Sequence, residues 1–280
     1  MQVPFLVAKL DEGFEFVIGS RMGGDIKPGA MPFLHCYLGT PVLNALINVL
    51  YAPKGFRVED CNSGFRGFRK SAFLRWNVEG DGMEFASEML IKAMLDNVRM
   101  VHVPISLSPD VRGRVPHLKT WRDGTRHLLQ VLLYSSKAFH IPGVFFFSLG
   151  WVLMLSCLIW GPVRIGQASI LEIHTMMFSL LAVVFGQSVW GIGLFVAAKR
   201  SSRNPLYRGM IDMVEDKLFW MSALLLVVSL GIFAYVFYGW AANGFSSLGL
   251  QKETLCLVGI GITGISFVTQ AMTAHLLKRS

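Results

Sequence analysis

The chain has 280 residues, of which 53% are hydrophobic and only 16% are charged. This composition is far more apolar than that of an ordinary soluble domain and argues against a wholly soluble protein. The net charge of +8 gives no reason to expect a nucleic-acid partner, because the basic excess of the part that precedes the first long apolar run lies in one short segment. Residues 1–111 hold 11 basic and 12 acidic side chains, whereas residues 112–137 hold six basic and one acidic.

The N-terminal part alternates strand and helix. β-Branched and aromatic residues predict strands, and apolar residues at helical spacing predict helices. In chain order we expect a strand at 14–19, a glycine-rich loop, a helix at 34–50 interrupted near Pro41, a turn and short strand at 62–68, a helix at 82–97 and a strand at 99–107. Such alternation predicts an α/β fold.

Residues 117–137 are predicted to form an amphipathic helix. Its leucines at 128, 129, 132 and 133 oppose a basic set formed by Lys119, Arg122, Arg126 and His127. A helix of this kind can lie in a membrane interface with its basic face at the head groups. The basic charge alone leaves two interpretations open, since both binding of anionic lipid or phosphate and the positive-inside rule would produce it.

Four uncharged, apolar segments follow. None contains Asp, Glu, Lys or Arg, and each is long enough to cross a bilayer core of about 30 Å. The predicted spans cover about 141–163, 173–198, 218–241 and 254–277. Burial of all four inside a soluble domain is disfavoured, because nothing outside them is large enough to cover them. The predicted domains are therefore 1–115, a juxtamembrane helix at 116–140 and a membrane domain at 141–280.

Basic residues in the loops predict the orientation. Five lie between the second and third spans, two follow the fourth span, and the other two loops have one each. By the positive-inside rule, the N-terminal domain and the C-terminus should face the cytoplasm. The apolar stretch at 1–8 is too short for a signal peptide. None of the four cysteines has metal-ligand spacing, so we expect free thiols with no metal or redox role.

Three arginines lie on glycine-containing turns of the N-terminal part. They are Arg21, Arg66 and Arg69. Arginine donates forked, charge-assisted hydrogen bonds that suit phosphate. Any one of them is best explained as an ordinary surface residue, but three in one domain favour a functional role.

The carboxylates near these arginines leave alternatives open. Asp60 could cap its own turn, organise Arg66 or face a ligand. Glu84 and Glu88 lie four residues apart on one helix face. That face could be solvated, with Lys92 pairing with Glu88, or one carboxylate could contact a sugar hydroxyl or an arginine.

Four short motifs occur in a fixed order in this part of the chain. They are Val17-Ile-Gly-Ser-Arg21, Asp60-Cys-Asn-Ser-Gly-Phe-Arg-Gly-Phe-Arg69, Gly82-Met-Glu-Phe-Ala-Ser-Glu88 and Arg112-Gly-Arg-Val-Pro-His-Leu-Lys119. Over residues 10–142 the series resembles family 2 glycosyltransferases of the dolichol-phosphate mannosyltransferase (polyprenyl-phosphate glycosyltransferase) type. The resemblance implies a partial GT-A-like (Rossmann-type) α/β domain, followed by the interface helix and four spans.

The resemblance also implies a reaction and its participants. Such enzymes move a sugar from a nucleotide-sugar to a polyprenyl (dolichyl-type) phosphate in the membrane, with a divalent metal, Mg or Mn, on the nucleotide diphosphate. The lipid bilayer, the polyprenyl phosphate and the nucleotide-sugar are thus the expected partners, and a homo-oligomer is left open. The implied catalytic residues are Arg21, Asp60, Glu84 and Glu88, and the implied substrate-binding residues are Ser20, Ser63, Arg66, Arg112, Arg114, His117 and Lys119.

Within that set the resemblance gives separate roles. Arg21 and Arg66 would hold the acceptor phosphate, and Glu84 and Glu88 would lie near the sugar. The basic residues of the fourth motif would line the loop over the nucleotide phosphates.

One departure from the family is large. The nucleotide-binding strands and the metal-binding Asp-x-Asp that precede the Gly-Ser-Arg strand in the family have no counterpart here, so no metal ligand is expected in this chain. We therefore expect the 280-residue chain alone to be inactive. The rival interpretation is a non-catalytic membrane remnant or a scaffold partner of a complete glycosyltransferase. Processive synthases fit less well, because their Gln-x-x-Arg-Trp motif is absent and the chain has Thr120-Trp-Arg122 instead.

Overall fold

The computed structural model describes residues 2–80, 82, 84–109, 120–165, 168–199, 205–211, 215–245 and 252–279. The chain forms two compact units, Met1–Tyr134 and Ser135–Ser280. The division lies inside the segment for which the sequence predicts a juxtamembrane helix.

The N-terminal unit mixes helices with a small sheet, in agreement with a partial α/β domain. Its helices are α1 (Val3–Asp11), α2 (Thr40–Tyr51), α3 (Lys70–Trp76), α4 (Glu84–Leu95) and α5 (Thr120–Leu133), and its strands are β1 (Phe16–Ser20), β2 (Arg66–Phe68) and β3 (Met100–Pro104). The predicted strands and helices are confirmed to within a few residues at most ends. Two short helices, α1 and α3, were not predicted.

The interruption expected near Pro41 takes a different form. A π-helical turn at His35–Gly39 leads directly into α2. Pro41 is the second residue of α2, and the helical backbone continues from the π-helical turn through it, so the helix does not break there. Pro4 lies in the first turn of α1, where a backbone N–H has no helical partner to lose, so it is tolerated at that helix start.

The sheet has the strand order β2-β1-β3. β1 and β3 are parallel, with Ser20 opposite Pro104 at their carboxyl ends. β2 is antiparallel to β1 and begins with Arg66 opposite Ile18. The residues that precede β2 therefore lie at the same sheet edge as the carboxyl ends of β1 and β3. Ligands of open α/β sheets bind at such an edge.

The two sheet faces have separate cores. Phe16 and Ile18 are fully buried on the face that packs with helices α2 to α5. Val17 and Val103 lie on the opposite face with Leu6 of α1. This alternation along β1 is the period of two that a strand covered on both faces requires.

The buried face of helix α5 is not the one that the sequence predicts. His127, Val131 and Tyr134 are buried, whereas Leu129 is half exposed. The Tyr51 hydroxyl donates to the Val131 carbonyl in the last turn of α5, where carbonyls commonly take partners from outside the helix. The leucine face is outward, as an interface helix requires. The placement of His127 on the basic outer face is wrong, because its side chain lies inside the unit.

The C-terminal unit consists mainly of four long helices. They are α6 (Lys137–Trp160), α7 (Ile173–Lys199), α9 (Glu215–Ala242) and α10 (Lys252–Arg279), with the short helix α8 (Pro205–Ile211) and the strands β4 (Val163–Ile165) and β5 (Ala168–Ile170) between them. All four long helices are long and apolar enough to cross a membrane, with mean hydropathies of 1.8 to 2.2. The four predicted spans are confirmed as candidate membrane helices.

Small residues and amides pack these long helices. A Cβ atom added at Gly186 of α7 would lie 2.2 Å from the backbone nitrogen of Phe147 in α6, so the two backbones touch there. The Gln187 side-chain amide donates to the Thr263 carbonyl at 2.8 Å, and that of Gln270 donates to the Gln187 carbonyl at 3.1 Å. Both amides therefore bond a neighbouring helix, which is the usual role of an uncharged amide in a membrane helix.

Candidate functional site

The predicted site residues at the end of β1 lie beside the turn that precedes β2. The Ser20 hydroxyl is fully buried and accepts a hydrogen bond from the Gly23 N–H at 2.9 Å. A Cβ at Gly24 would lie 2.0 Å from the Ile105 carbonyl oxygen, so this loop can follow β3 closely only with glycine there. Ser20 thus shapes the backbone that presents Arg21.

Arg21 and Asp60 form a forked ion pair. Nε of Arg21 lies 2.7 Å from one carboxylate oxygen of Asp60, and Nη2 lies 2.7 Å from the other. The backbone N–H of Arg21 also donates to Asp60, at 3.0 Å. The hydrogen bond with Asp60 raises the pKa of Arg21 above its ordinary value. The sequence left three roles open for Asp60: to cap its own turn, to organise Arg66 or to face a ligand. In the structure the Asp60 carboxylate instead organises Arg21.

This ion pair leaves one part of Arg21 available. The Asp60 side chain is fully buried, whereas that of Arg21 is 19% exposed. Among the described residues, Nη1 of Arg21 makes no hydrogen bond. The guanidinium is therefore fixed along one edge and open along another, which suits a group that must meet an anion in a set orientation.

Arg66 has a different environment. Its Nε donates to the Ser63 carbonyl at 2.7 Å, its Nη2 to the Cys61 carbonyl at 2.7 Å, and its Nη1 to the Ala86 carbonyl in α4. Burial lowers the pKa of Arg66 to about 10. The guanidinium thus fastens the turn before β2 to α4, and no carboxylate among the described residues pairs with it.

The turn before β2 is itself tightly held. Ser63 is fully buried, and its hydroxyl accepts from the Phe65 N–H at 3.3 Å. The predicted thiol at Cys61 is free, and burial raises its pKa to about 12, so it stays protonated. Ser63 and Cys61 therefore stabilise the turn in this structure, and a substrate contact of Ser63 stays a prediction.

Glu88 is buried and fully hydrogen-bonded. It is 1% exposed and accepts from Lys92 Nζ at 2.8 Å, the Tyr134 hydroxyl at 2.6 Å, and the backbone N–H groups of Glu79 and Gly80. Burial favours the neutral acid, but these donors outweigh it and lower the pKa of Glu88 to about 2. The pairing with Lys92 considered from the sequence is present. The geometry gives Glu88 a structural role, and its catalytic role stays a prediction.

Glu84 begins α4 and is half-buried. It lies near His127 of α5, whose pKa is lowered by burial and by Arg66 and raised by Glu84. The three side chains therefore share one region, bounded by α4, α5 and the turn before β2. His127 was not assigned to the site from the sequence, although the spacing of His127, Val131 and Tyr134 matches one face of a helix.

Arg69 does not lie at the site. It follows the end of β2 and donates to the Leu10 and Phe14 carbonyls, near the start of β1. Two of the three arginines on glycine turns, not three, are thus brought together. The remaining substrate-binding candidates lie outside the described residues. They are Arg112, Arg114, His117 and Lys119.

The described residues do not supply a metal centre. Among them, no three His, Cys, Asp or Glu side chains are grouped so that they could hold an ion. Asp60 and Glu88, the two most buried carboxylates of the region, are already saturated by Arg21 and by Lys92 with its neighbours.

Similarity to known proteins points to one class. No protein-family model matches the chain. Its sequence is nevertheless similar to glycosyltransferases, which supports a place in a glycosyltransferase family. Together with the four candidate membrane helices, this similarity fits a membrane glycosyltransferase.

Two relatives, both from Haloferax volcanii, carry this similarity. The low-salt glycan biosynthesis hexosyltransferase Agl6 is 29% identical over 260 residues, which cover 91% of this chain and 61% of Agl6. Glycosyltransferase AglJ is 30% identical over 142 residues, which cover 51% of this chain and 45% of AglJ. The chain therefore spans less than two thirds of the length of either relative.

Proposed function

We propose that this protein is a membrane-bound glycosyltransferase that moves a sugar from a nucleotide-sugar to a polyprenyl (dolichyl-type) phosphate. One observation carries the proposal. A chain that aligns over 91% of its length with a hexosyltransferase holds a half-open arginine, Arg21, at the ligand-binding edge of its sheet. The phosphate acceptor suits that arginine, and the four candidate spans suit an acceptor dissolved in the bilayer.

The chemistry of this acceptor needs little more than positioning. A phosphate is already anionic, so its oxygen can attack without a general base if it is held in line with the sugar. Arg21 would bind the phosphate through its open edge while Asp60 fixes the rest of the guanidinium. Glu84 would lie on the side of the sugar hydroxyls.

The proposed reaction uses a divalent metal, Mg or Mn, which would neutralise the donor diphosphate. The described residues do not fit such an ion, so we assign its ligands to residues other than these and derive no step through it. The chain also contains no Asp-x-Asp. We propose that donor binding needs another stretch of polypeptide, in the same chain or in a partner, and that the 280 residues alone do not catalyse transfer.

A non-catalytic role is the second candidate. The chain would then act as a membrane scaffold that assembles with a complete glycosyltransferase. The observation that favours this role is that Asp60 and Glu88 both form ion pairs inside the domain, with Arg21 and Lys92. A purely structural domain would show the same pairs.

The proposed reaction has a cytoplasmic site. The basic residues between the second and third spans and after the fourth support this orientation by the positive-inside rule. Reporter fusions at the C-terminus check it. A reporter that is active only outside the cytoplasm should stay silent there, and activity would contradict the orientation.

Sugar transfer is tested by comparing the 280-residue chain with a longer version. The 280-residue chain and a version extended by any in-frame upstream sequence are each incubated with labelled nucleotide-sugars and polyprenyl phosphate. We expect a sugar-lipid product only from the extended version or in the presence of a partner. Failure of every donor in every arrangement would favour the scaffold, and turnover by the 280 residues alone would contradict their proposed inactivity.

A further inference from the structure

We propose that His127 of α5 is a further substrate-contacting residue, which donates a hydrogen bond from Nε2 to a phosphate oxygen beside Arg66. This inference rests on the proposed function, because the phosphate would belong to a substrate of that reaction. It goes beyond it by adding a residue from the helix that leads into the membrane unit.

The first observation is an unpartnered nitrogen. His127 is only 4% exposed, and its Nε2 is buried with no hydrogen-bond partner among the described residues. A buried polar atom left in this state costs about 1–3 kcal/mol, and native proteins rarely keep one without a reason. Replacement of such a histidine by an apolar residue would stabilise a protein that had no use for it.

The second observation is a cation without a carboxylate partner. Arg66 is half-buried, its guanidinium lies 5.7 Å from the centre of the Phe16 ring, and its three hydrogen bonds within the described residues all go to carbonyls. The nearby Asp60 is committed to Arg21. No carboxylate among the described residues forms an ion pair with Arg66, so an anion is the ligand that its charge favours.

The third observation concerns the positions of His127 and Arg66, which both lie beside the start of α4. Arg66 donates to the Ala86 carbonyl near the start of α4, and Tyr134, which directly follows α5, donates to Glu88 two residues further along α4. α5 packs on α4, and His127 lies two turns before Tyr134 on the same buried face. The charges of Arg66 and Glu84 both act on the imidazole, which agrees with this packing. One phosphate oxygen would satisfy both Nε2 and Arg66.

The choice of phosphate follows from the charges. A neutral imidazole protonated at Nε2 donates one hydrogen bond, and Arg66 supplies the positive field that a phosphate needs. Glu84 is the acidic neighbour, and its effect on His127 is smaller than that of Arg66. The phosphate could come from the donor diphosphate or from the lipid monophosphate, and the two are separated by experiment.

The first test uses the wild-type chain purified in detergent and labelled with ¹⁵N in its histidine rings. The His127 signal is assigned by its loss in His127→Gln. Inorganic pyrophosphate and farnesyl monophosphate are then added separately. A shift with pyrophosphate alone indicates the donor phosphates, and a shift with farnesyl phosphate alone, or with both probes, indicates a site that accepts the lipid phosphate. Absence of a shift with either probe overturns the proposal.

The second test compares matched variants by affinity for the probe that shifts the signal. His127→Leu should bind it about tenfold more weakly, since a hydrogen bond to a charged group is lost. His127→Gln keeps an N–H near the Nε2 position and should stay within about threefold of wild type. Arg126→Gln, the exposed neighbour, is the control and should bind as wild type does. Unchanged binding by His127→Leu overturns the proposal.

Stability separates a ligand contact from a structural residue. Without ligand, His127→Leu should unfold at the same temperature as wild type or higher, because an unsatisfied nitrogen has been removed. A lower unfolding temperature together with unchanged affinity in His127→Gln and His127→Leu would show a structural role only. The binding tests need no transfer, so a shifted His127 signal without sugar transfer contradicts the proposed function alone.

Discussion

In the N-terminal unit the buried polar side chains include Asp60 and Glu88, each held by several charged or polar donors, whereas the described buried polar side chains of the C-terminal unit are serines and Gln187. The N-terminal unit thus stabilises charge inside a small α/β framework. The C-terminal unit uses close backbone contact at glycines and a few amide hydrogen bonds. The difference supports the proposal that the chemistry belongs to the first unit, and the packing of the second unit is of the kind that membrane helices use.

The largest expected effect comes from breaking the Arg21–Asp60 pair. Asp60→Asn leaves Arg21 beside an uncharged amide, and removing one member of a buried pair costs about 3–5 kcal/mol. Chemical denaturation of the full chain in detergent measures it. Asp96→Asn, which breaks a pair with the exposed Arg75, is the control and should change stability far less. If Asp60→Asn and Asp96→Asn lower the stability equally, burial does not make the Arg21–Asp60 pair more important than the exposed one.

The next effect is a pH dependence at Glu88. The donors around it lower its pKa from 4.5 to about 2. A depressed carboxylate pKa adds stability above pH 4.5 that is lost as the pH falls toward 2, here about 3 kcal/mol. Unfolding is followed from pH 6 to pH 2.5 in wild type and Glu88→Gln. The difference in free energy of unfolding between wild type and Glu88→Gln should become smaller as the pH falls. A difference that does not change with pH would contradict the pKa shift.

In the C-terminal unit, Gly186→Ala tests the contact between α6 and α7. The new Cβ would lie 2.2 Å from the backbone of Phe147, so the helices must separate, at a cost of about 1–3 kcal/mol. Gly239→Ala in α9, where no atom lies within 4 Å of the new Cβ, is the matched control and should not destabilise. Thermal unfolding in detergent measures both variants. If Gly186→Ala unfolds at the wild-type temperature, the close contact between α6 and α7 is contradicted.

The smallest effect is expected at the amides. Gln270→Met removes the hydrogen bond to the Gln187 carbonyl but keeps the side-chain volume. Hydrogen bonds between membrane helices average about 0.6 kcal/mol, so the same unfolding assay should show a change of that size. A loss as large as that of Asp60→Asn would mean that the two units do not differ in how they use buried polar groups.

Much of the fold could be predicted from the sequence, because local patterns determine it. The four spans follow from uncharged length, and the strand at Phe16–Ser20 follows from its β-branched and aromatic residues. Helices α1 and α3 have nine and seven residues, which is too short for a clear period, and they escaped prediction. The burial of His127 depends on which face of α5 meets α4, and the leucines opposite gave the stronger signal.

The candidate site was only partly predictable for a related reason. The motifs located Arg21, Asp60 and Arg66 in the chain, but not which carboxylate meets which arginine. That choice depends on the antiparallel register of β2, which brings the turn before it to the end of β1. Likewise Glu88 looked like one of two exposed carboxylates on a helix, and only packing against Tyr134 and Lys92 shows that it is internal.

The proposal that Arg21 holds a lipid phosphate for sugar transfer is tested most directly in native membranes. Cells that carry this gene, and strains with Arg21→Gln or Arg75→Gln at its own locus, supply membranes that contain whatever partner the protein requires. Labelled nucleotide-sugars are added, and polyprenyl-linked sugar is extracted and counted. We expect one donor to label the lipid in wild type and Arg75→Gln but at least tenfold less in Arg21→Gln, since a charge-assisted contact to the acceptor is lost. Equal labelling in all three strains, or labelling that survives deletion of the gene, would contradict it.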